Sequence, residues 1–231
     1  MKPDELQSHI FATYTNLRIG VAIIAIAFPP LLWIGGAFLN MPLQDSMSAY
    51  YHAACDGQSM RNWFVGLLFA VGIILYLYKG FSRKENYALN IAGILAVAIA
   101  VIPMEWACGE VCNAICIPKH EALTLHGIVA VSFFICIAYV CIFCAHETLY
   151  LLDDKDREKR YRLLYRLFGI GMILSPLVAA LLAFVFRQQN SYAFYAEWVG
   201  IWIFASYWLL KSKEISSTNA EHLALHEKIG I

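Results

Sequence analysis

Residues 124–145 read TLHGIVAVSFFICIAYVCIFCA, and this run contains no Asp, Glu, Lys or Arg. A helix of about 20 apolar residues spans the ~30 Å hydrocarbon core of a bilayer. The run therefore predicts a membrane-spanning helix. Other apolar runs of comparable length occur along the chain, so the predicted spans are residues 18–39, 62–79, 87–104, 124–145, 166–187 and 194–211.

The composition of the whole chain agrees with this prediction. Apolar residues make up 60% of the sequence and charged residues 15%, whereas soluble domains carry about 25% charged residues. The net charge is zero and the basic residues are spread over short loops, so nothing resembles the basic stripe of a nucleic-acid-binding protein. The sequence predicts an all-α polytopic membrane helix bundle whose partners are membrane lipids. It identifies no protein partner.

The lysines and arginines predict how the bundle is oriented, because these residues are retained on the cytoplasmic side. Of the 17 cations, only Arg61, Lys119 and Arg187 fall on one predicted face, which leaves 14 on the other. We therefore expect six spans, both termini in the cytoplasm, and a multi-pass location in a bacterial inner (plasma) membrane. The predicted units are an amphipathic cytoplasmic segment (1–17), a six-helix transmembrane domain (18–211) and a polar cytoplasmic tail (212–231).

The segment from Asp153 to Arg166 mixes acids and bases at helical spacing. This pattern predicts a solvated cytoplasmic extension of the fourth or fifth span. The alternative is that the segment binds anionic lipid headgroups. The basic cluster that would do so is Arg157, Lys159, Arg160, Arg162 and Arg166.

Cys55, Cys108, Cys112 and Cys116 fall in the predicted outer connections, which in a bacterial envelope face an oxidising compartment. Their even number predicts two disulfides, and the spacing does not choose among three connectivities. A bond from Cys55 to the second outer connection would join the two connections. Metal or haem ligation and thiol–disulfide exchange remain as alternatives.

Ser48, His52 and Asp56 are four residues apart in the first outer connection, and on a helix they would share one face. A histidine and a carboxylate can hold a zinc ion whose bound water attacks an ester or amide, while a serine stabilises the oxyanion. Such a site would have Ser48, His52 and Asp56 as catalytic residues. Its metal ligands would be His52, His126 and Glu197, with Glu105 and His120 as further candidates at the same depth. The alternative interpretation of this connection is a hydrogen-bonded lid.

The Ser48-x3-His52 pattern followed by an acid resembles the alkaline ceramidase and adiponectin-receptor superfamily of seven-helix zinc hydrolases. That resemblance implies hydrolase activity with zinc as the cofactor. The family also carries a His-x3-His pair on its last helix, whereas here that spacing joins His222 and His226 in the predicted cytoplasmic tail. A second stretch, Ser-Ala-Tyr-Tyr at 48–51 followed by Arg-Asn-Trp-Phe-Val-Gly at 61–66, is similar to uncharacterised bacterial multi-pass membrane proteins and implies no activity.

Three function classes follow from these observations. The leading one is a non-catalytic membrane protein, namely a sensor, an assembly partner or a small-solute carrier, because none of the motifs is specific. Few mid-membrane charges and no evident inverted repeat argue against the carrier. The first alternative is a metal-dependent hydrolase acting on lipid at the outer leaflet, with zinc as cofactor. The second is a thiol–disulfide oxidoreductase coupled to quinone, although the chain has no Cys-x2-Cys.

Overall fold

The computed structural model is all-helical in its long elements and describes residues 3–116, 124–186 and 191–218, together with Ala220 and Leu223. The helices are α1 (Pro3–Phe38), α2 (Arg61–Leu77), α3 (Arg83–Val101), α4 (Leu125–Tyr139), α5 (Lys155–Val185) and α6 (Tyr192–Thr218). A π-helical turn, Val140–Cys144, continues α4. Two strands, β1 (Ala54–Cys55) and β2 (Gln58–Ser59), form a short antiparallel hairpin.

Five of these helices are long and apolar enough to cross a membrane: α1, α3, α4 with its π-helical turn, α5 and α6. The sixth, α2, has 17 residues, the lower end of the usual range for a spanning helix. Each helix overlaps one of the predicted apolar runs. The prediction of an all-α bundle of apolar helices is confirmed.

Several helices extend beyond the predicted runs. α1 already begins at Pro3, and α6 continues to Thr218. α5 begins at Lys155 because the carboxylate of Asp154 accepts hydrogen bonds from the backbone N–H groups of Asp156 and Arg157. The charged segment is thus a helical extension of α5. Among its basic residues, Arg162 lies 2.8 Å from Glu158 and the others are exposed. Lys119, His120, Arg187, His222 and His226 lie outside the described residues.

The six helices form a closed ring in which each packs on its neighbours in sequence and α6 packs on α1. Small residues permit the closest of these contacts. A Cβ atom on Gly93 of α3 would lie 2.6 Å from the carbonyl oxygen of Gly72 on α2. Because backbone atoms cannot move aside as a side chain can, the α2–α3 contact depends on both glycines.

One end of the bundle, called here the capped end, is covered by the connections 39–60 and 102–116. In the first connection, a 3-10 turn at Ser48–Tyr51 precedes the hairpin, whose turn places Asp56 and Gly57 at positive φ. The two predicted disulfides are present as Cys55–Cys112 and Cys108–Cys116. The first of them joins the two connections. The side-chain amide of buried Gln44 also joins them, since it donates to the Pro42 carbonyl and accepts from the N–H of Cys116.

The opposite end, called here the basic end, carries the α5 extension and contains a buried polar network. Lys211 donates to Glu214 at 2.8 Å, to Thr148 at 2.7 Å and to the carbonyl oxygen of Ala145 at 2.9 Å. Tyr165 also donates to Glu214. Lys211 is therefore buried rather than exposed. It holds α6 to the segment that follows α4, and Glu214 holds α6 to α5 through Tyr165.

Candidate functional site

The loop 43–47 is seated on the N-terminus of α6. The backbone N–H of Phe194 donates to the Asp45 carbonyl, and the carboxylate of Glu197 accepts from the N–H of Met47, both at 2.7 Å. The first N–H groups of a helix have no partner within the helix, so the loop supplies one for Phe194. This attachment fixes the 3-10 turn that follows, and with it the position of Ser48.

A cavity of about 260 Å³ lies between this loop and helices α4, α5 and α6. Its polar wall is formed by Asp45, Ser46, Ser48, Glu105, Thr124, His126 and Glu197. Its apolar wall is formed by Met104, Gly127, Ala130, Val131, Phe134, Pro176, Ala179, Ala180 and Ala193. Since Val131 and Ala180 are also exposed on the outside of the bundle, the cavity opens on the apolar surface of the helices.

Both ring nitrogens of His126 have hydrogen-bond partners at this cavity. Nδ1 lies 2.6 Å from the carbonyl oxygen of Ile102, and Nε2 lies 2.8 Å from Oγ of Ser48. A carbonyl oxygen can only accept, so Nδ1 carries the proton and, in the neutral ring, Nε2 accepts from the Ser48 hydroxyl. His126 follows the N-cap of α4, where the Thr124 hydroxyl accepts from the N–H of Gly127. The cap fixes the first turn of α4 and orients the imidazole.

His52 is not part of this hydrogen-bonded pair. Its Nε2 donates to the carbonyl oxygen of Met104 at 2.9 Å, and its ring stacks on Trp106 with 5.2 Å between ring centroids. Burial lowers the pKa of His52 and the positive charge of Arg61 lowers it further, against the opposing effect of the bond to Met104. The neutral ring fits the role of an N–H donor that ties the first connection to the second.

Ser48, His52 and Asp56 do not share a helix face. The 3-10 turn ends at Tyr51, and Asp56 is exposed in the hairpin turn. The catalytic grouping expected if this stretch were helical therefore does not form. Ser48 contacts a histidine, but that residue is His126, which is 78 positions away in sequence.

The residues predicted as zinc ligands do not fit a metal site in this arrangement. The His52 Nε2 and both nitrogens of His126 are engaged in hydrogen bonds, and a carboxylate oxygen of Glu197 accepts from Met47. Within the described ranges, the group of potential ligand atoms lying within 4.8 Å of one another belongs to Cys55, Asp56 and Cys112. Its two cysteines form a disulfide. A zinc ion would require rearrangement of the site.

Two carboxyl groups line the cavity next to the Ser48–His126 pair. Desolvation by burial raises the pKa of Asp45 to about 6, although backbone hydrogen bonds to Ser46 and to its own N–H act in the opposite direction. Glu197 is held through its bond to Met47. The polar wall therefore combines acids, hydroxyls and one imidazole among the residues that the structure describes.

The disulfides favour the structural interpretation of the outer cysteines. Each disulfide contains one buried cysteine: Cys55 and Cys116 are both 2% exposed. Because exchange requires a thiolate to approach a sulfur atom, this cover hinders attack on these two sulfur atoms, whereas Cys108 and Cys112 are half-buried. Cys141 and Cys144 are buried free thiols in the π-helical turn, where thiols act as small apolar side chains.

Sequence reasoning did not anticipate two parts of this site. The Ile102 carbonyl is a main-chain atom and has no sequence signal. Asp45 is one of two acids in the connection 39–60, and its burial depends on the contact with α6, which the sequence does not indicate. Comparisons of the chain with protein families, with curated proteins and with solved structures found no match.

Proposed function

We propose that this chain is a six-span membrane protein that binds a single amphipathic lipid in the cavity at its capped end. The observation that carries the proposal is the division of one cavity into a polar wall and an apolar wall that opens on the apolar surface of the bundle. This proposal refines the non-catalytic interpretation of the sequence, because a lipid-binding bundle can act as a sensor or an assembly partner.

The membrane assignment rests on helix length and charge. Five long apolar helices and the shorter α2 supply six segments. The basic end includes the exposed cations of the α5 extension, whereas Arg61 is the described cation at the capped end. The positive-inside rule then places the basic end and both termini in the cytoplasm. The disulfides agree with this orientation, since they persist in oxidising compartments such as the periplasm.

The shape of the cavity indicates a ligand with a polar head and an apolar chain. On α4 the lining residues run from His126 to Phe134, about 12 Å along the helix axis. The cavity therefore extends from the predicted headgroup depth toward the hydrocarbon core. A headgroup can form hydrogen bonds at the polar wall, while an acyl chain lies along the small residues of α4 and α5. A fully polar solute would leave the apolar wall without a partner.

Photocrosslinking tests this proposal. The full chain is reconstituted in vesicles of phosphatidylethanolamine and phosphatidylglycerol that contain a diacyl phospholipid with a diazirine in one chain. We expect crosslinks on the α4 peptide containing Ala130 and Phe134 that unlabelled lipid displaces. Ala180→Phe should reduce this displaceable signal about tenfold, because its ring fills the cavity. Ala180 is exposed, so the larger side chain does not disturb the core.

The matched control is Ala37→Phe, on the exposed face of α1 and away from the cavity. This variant should keep the displaceable signal. If labelling of α4 is never displaced by unlabelled lipid, or if both variants reduce it equally, the cavity is not a lipid site.

A further inference from the structure

The cavity contains a serine whose hydroxyl is bonded to a histidine side chain rather than to the main chain. Other serines in the described ranges, such as Ser175 and Ser191, donate to carbonyl oxygens and thereby fix helix ends and loops. Ser48 instead donates to Nε2 of His126, and Nδ1 of that ring donates to the Ile102 carbonyl. A nucleophile, a base and a group that orients the base are the three parts required for nucleophilic catalysis.

The surroundings of Ser48 keep this pair in place. The N–H of Met47 is held by Glu197, and the N–H of Tyr50 donates to the Met47 carbonyl. Ser48 is only partly buried and lines the cavity, so its Oγ is accessible to a ligand there. His126 is 7% exposed, which shields the base from bulk water. The distance of 2.8 Å between Oγ and Nε2 lies within the range for proton transfer.

We infer that Ser48 and His126 are the nucleophile and the general base of an esterase that cleaves a carboxylic ester of the bound lipid. This inference rests on the proposed function, because it takes the lipid of the cavity as the substrate. The position fits an ester, since the ester group of an acyl lipid lies between the polar head and the apolar chain. The pair lies at the corresponding boundary, where the polar and apolar walls meet on α4 at His126 and Gly127.

The reaction needs no component other than water. Oγ of Ser48 attacks the ester carbonyl carbon while its proton passes to Nε2 of His126. The tetrahedral intermediate collapses, the bond to the alcohol oxygen breaks, and the imidazolium returns the proton to that oxygen. Water then attacks the acyl-serine, again giving its proton to His126, and the fatty acid leaves as Ser48 recovers its hydroxyl hydrogen.

The N-terminus of α4 supports the charge that develops during attack. Thr124, His126 and Gly127 line the cavity at the first turn of this helix. The positive end of a helix dipole stabilises negative charge nearby. The oxyanion formed at Ser48 therefore arises next to a region of partial positive charge.

A fluorophosphonate probe tests the assignment, because it modifies an activated serine by displacement of fluoride. The full chain in detergent is treated with the probe, and its peptides are examined by mass spectrometry. We expect an adduct on Ser48 that Ser48→Ala abolishes. His126→Gln, which retains a hydrogen-bonding side chain but cannot act as the base, should lower the labelling rate and the hydrolysis of p-nitrophenyl octanoate at least 100-fold.

The control variant is Ser59→Ala, on an exposed strand at the same end, and it should label at the wild-type rate. The lipid crosslinking assay separates the two proposals. If folded protein shows displaceable lipid on α4 but no adduct on Ser48, the esterase is overturned and lipid binding stands. If both signals are lacking, both proposals are overturned. If His126→Gln unfolds the chain, the Ser48 adduct on the wild-type protein still decides the result.

Discussion

Asp45 makes the stability of the capped end depend on pH. Burial raises its pKa from 3.8 to about 6, so the folded chain binds this proton more tightly than the unfolded chain does. The contribution of Asp45 to the free energy of unfolding is therefore most favourable below pH 4. It falls as the pH rises from about 4 to 6 and stays low above pH 6. One oxygen of the carboxyl group, Oδ1, is buried without a hydrogen-bond partner in the described part of the chain.

Asp45→Asn removes this dependence. Above pH 6 the variant should be more stable than the wild type by about 1–3 kcal/mol, and below pH 4 the two should be equal. The measurement is the thermal midpoint in detergent between pH 4 and pH 8. The exposed Asp153→Asn serves as the control and should change stability little. A less stable Asp45→Asn at pH 8 would show that the ionised carboxylate has a favourable partner.

At the residue scale, the sequence predicted the members of the site better than their pairing. Ser48, His126 and Glu197 were each placed at the outer boundary, and the structure assembles them around one cavity. The pairing was not predictable, because the four-residue spacing pointed from Ser48 to His52. That argument assumed a helix, and the observed turn is only four residues long. The contact with His126 depends on how α4 packs against the connection.

The contact between α2 and α3 gives a prediction at the element scale. Gly93→Ala places a Cβ atom 2.6 Å from the Gly72 carbonyl oxygen and 2.9 Å from the backbone nitrogen of Tyr76, so the helices must separate. We expect a loss of about 1–3 kcal/mol, within the range for overpacking, read as a lower thermal midpoint. Gly66→Ala, on α2, meets no atom within 4 Å. It should be neutral or slightly stabilising, since alanine favours a helix.

An equal effect of the two substitutions would mean that helix propensity decides stability here and that close approach does not. The comparison is informative because both substitutions add the same methyl group to a helix. They differ only in whether the added methyl group contacts the backbone of a neighbouring helix.

The hydropathy of the sequence predicted the six helices. Hydropathy does not determine the residues at which a helix begins and ends. The apolar run of the fifth span begins at residue 166, but α5 begins at Lys155 because the Asp154 cap and polar helix-forming residues continue the helix outside that run. The helical spacing of the charges in this segment, not its hydropathy, predicted the extension. The π-helical turn at Val140–Cys144 and the two-residue strands lacked a periodic signal. Helix capping and tertiary contacts determine these features. Neither contributes to the mean hydropathy of a window of residues.

At the scale of the whole molecule, the two ends differ in chemistry. The capped end is cross-linked by two disulfides and contains the cavity lined by carboxyl groups, hydroxyl groups and an imidazole. The basic end has exposed cations on α5 and encloses the Lys211–Glu214 pair. A buried ion pair is costly unless its remaining hydrogen bonds are satisfied, and Thr148, Tyr165 and the Ala145 carbonyl satisfy them here. This network fixes the helices at one end while the disulfides fix the connections at the other.

This asymmetry makes the sidedness of the chain testable with two introduced cysteines. Ser59→Cys lies on the exposed hairpin of the capped end, and Lys159→Cys lies on the exposed extension of α5. Intact bacterial cells that express either variant are treated with a membrane-impermeant maleimide. We expect Ser59→Cys to react at once and Lys159→Cys to react only after permeabilisation. The wild-type chain measures the background from Cys136, Cys141 and Cys144, which are buried or half-buried in the α4 region.

The outcome bears on every proposal made for the capped end. Reaction of both variants in intact cells would place the two ends in one compartment, which requires an even number of membrane crossings between residues 59 and 159 instead of the three supplied by α2, α3 and α4. Reaction of Lys159→Cys alone would invert the bundle, and the disulfides would then lie in the reducing cytoplasm, where such bonds are rare. Reaction of Ser59→Cys alone places the cavity at the outer leaflet, where the lipid available to Ser48 is that of the outward-facing monolayer.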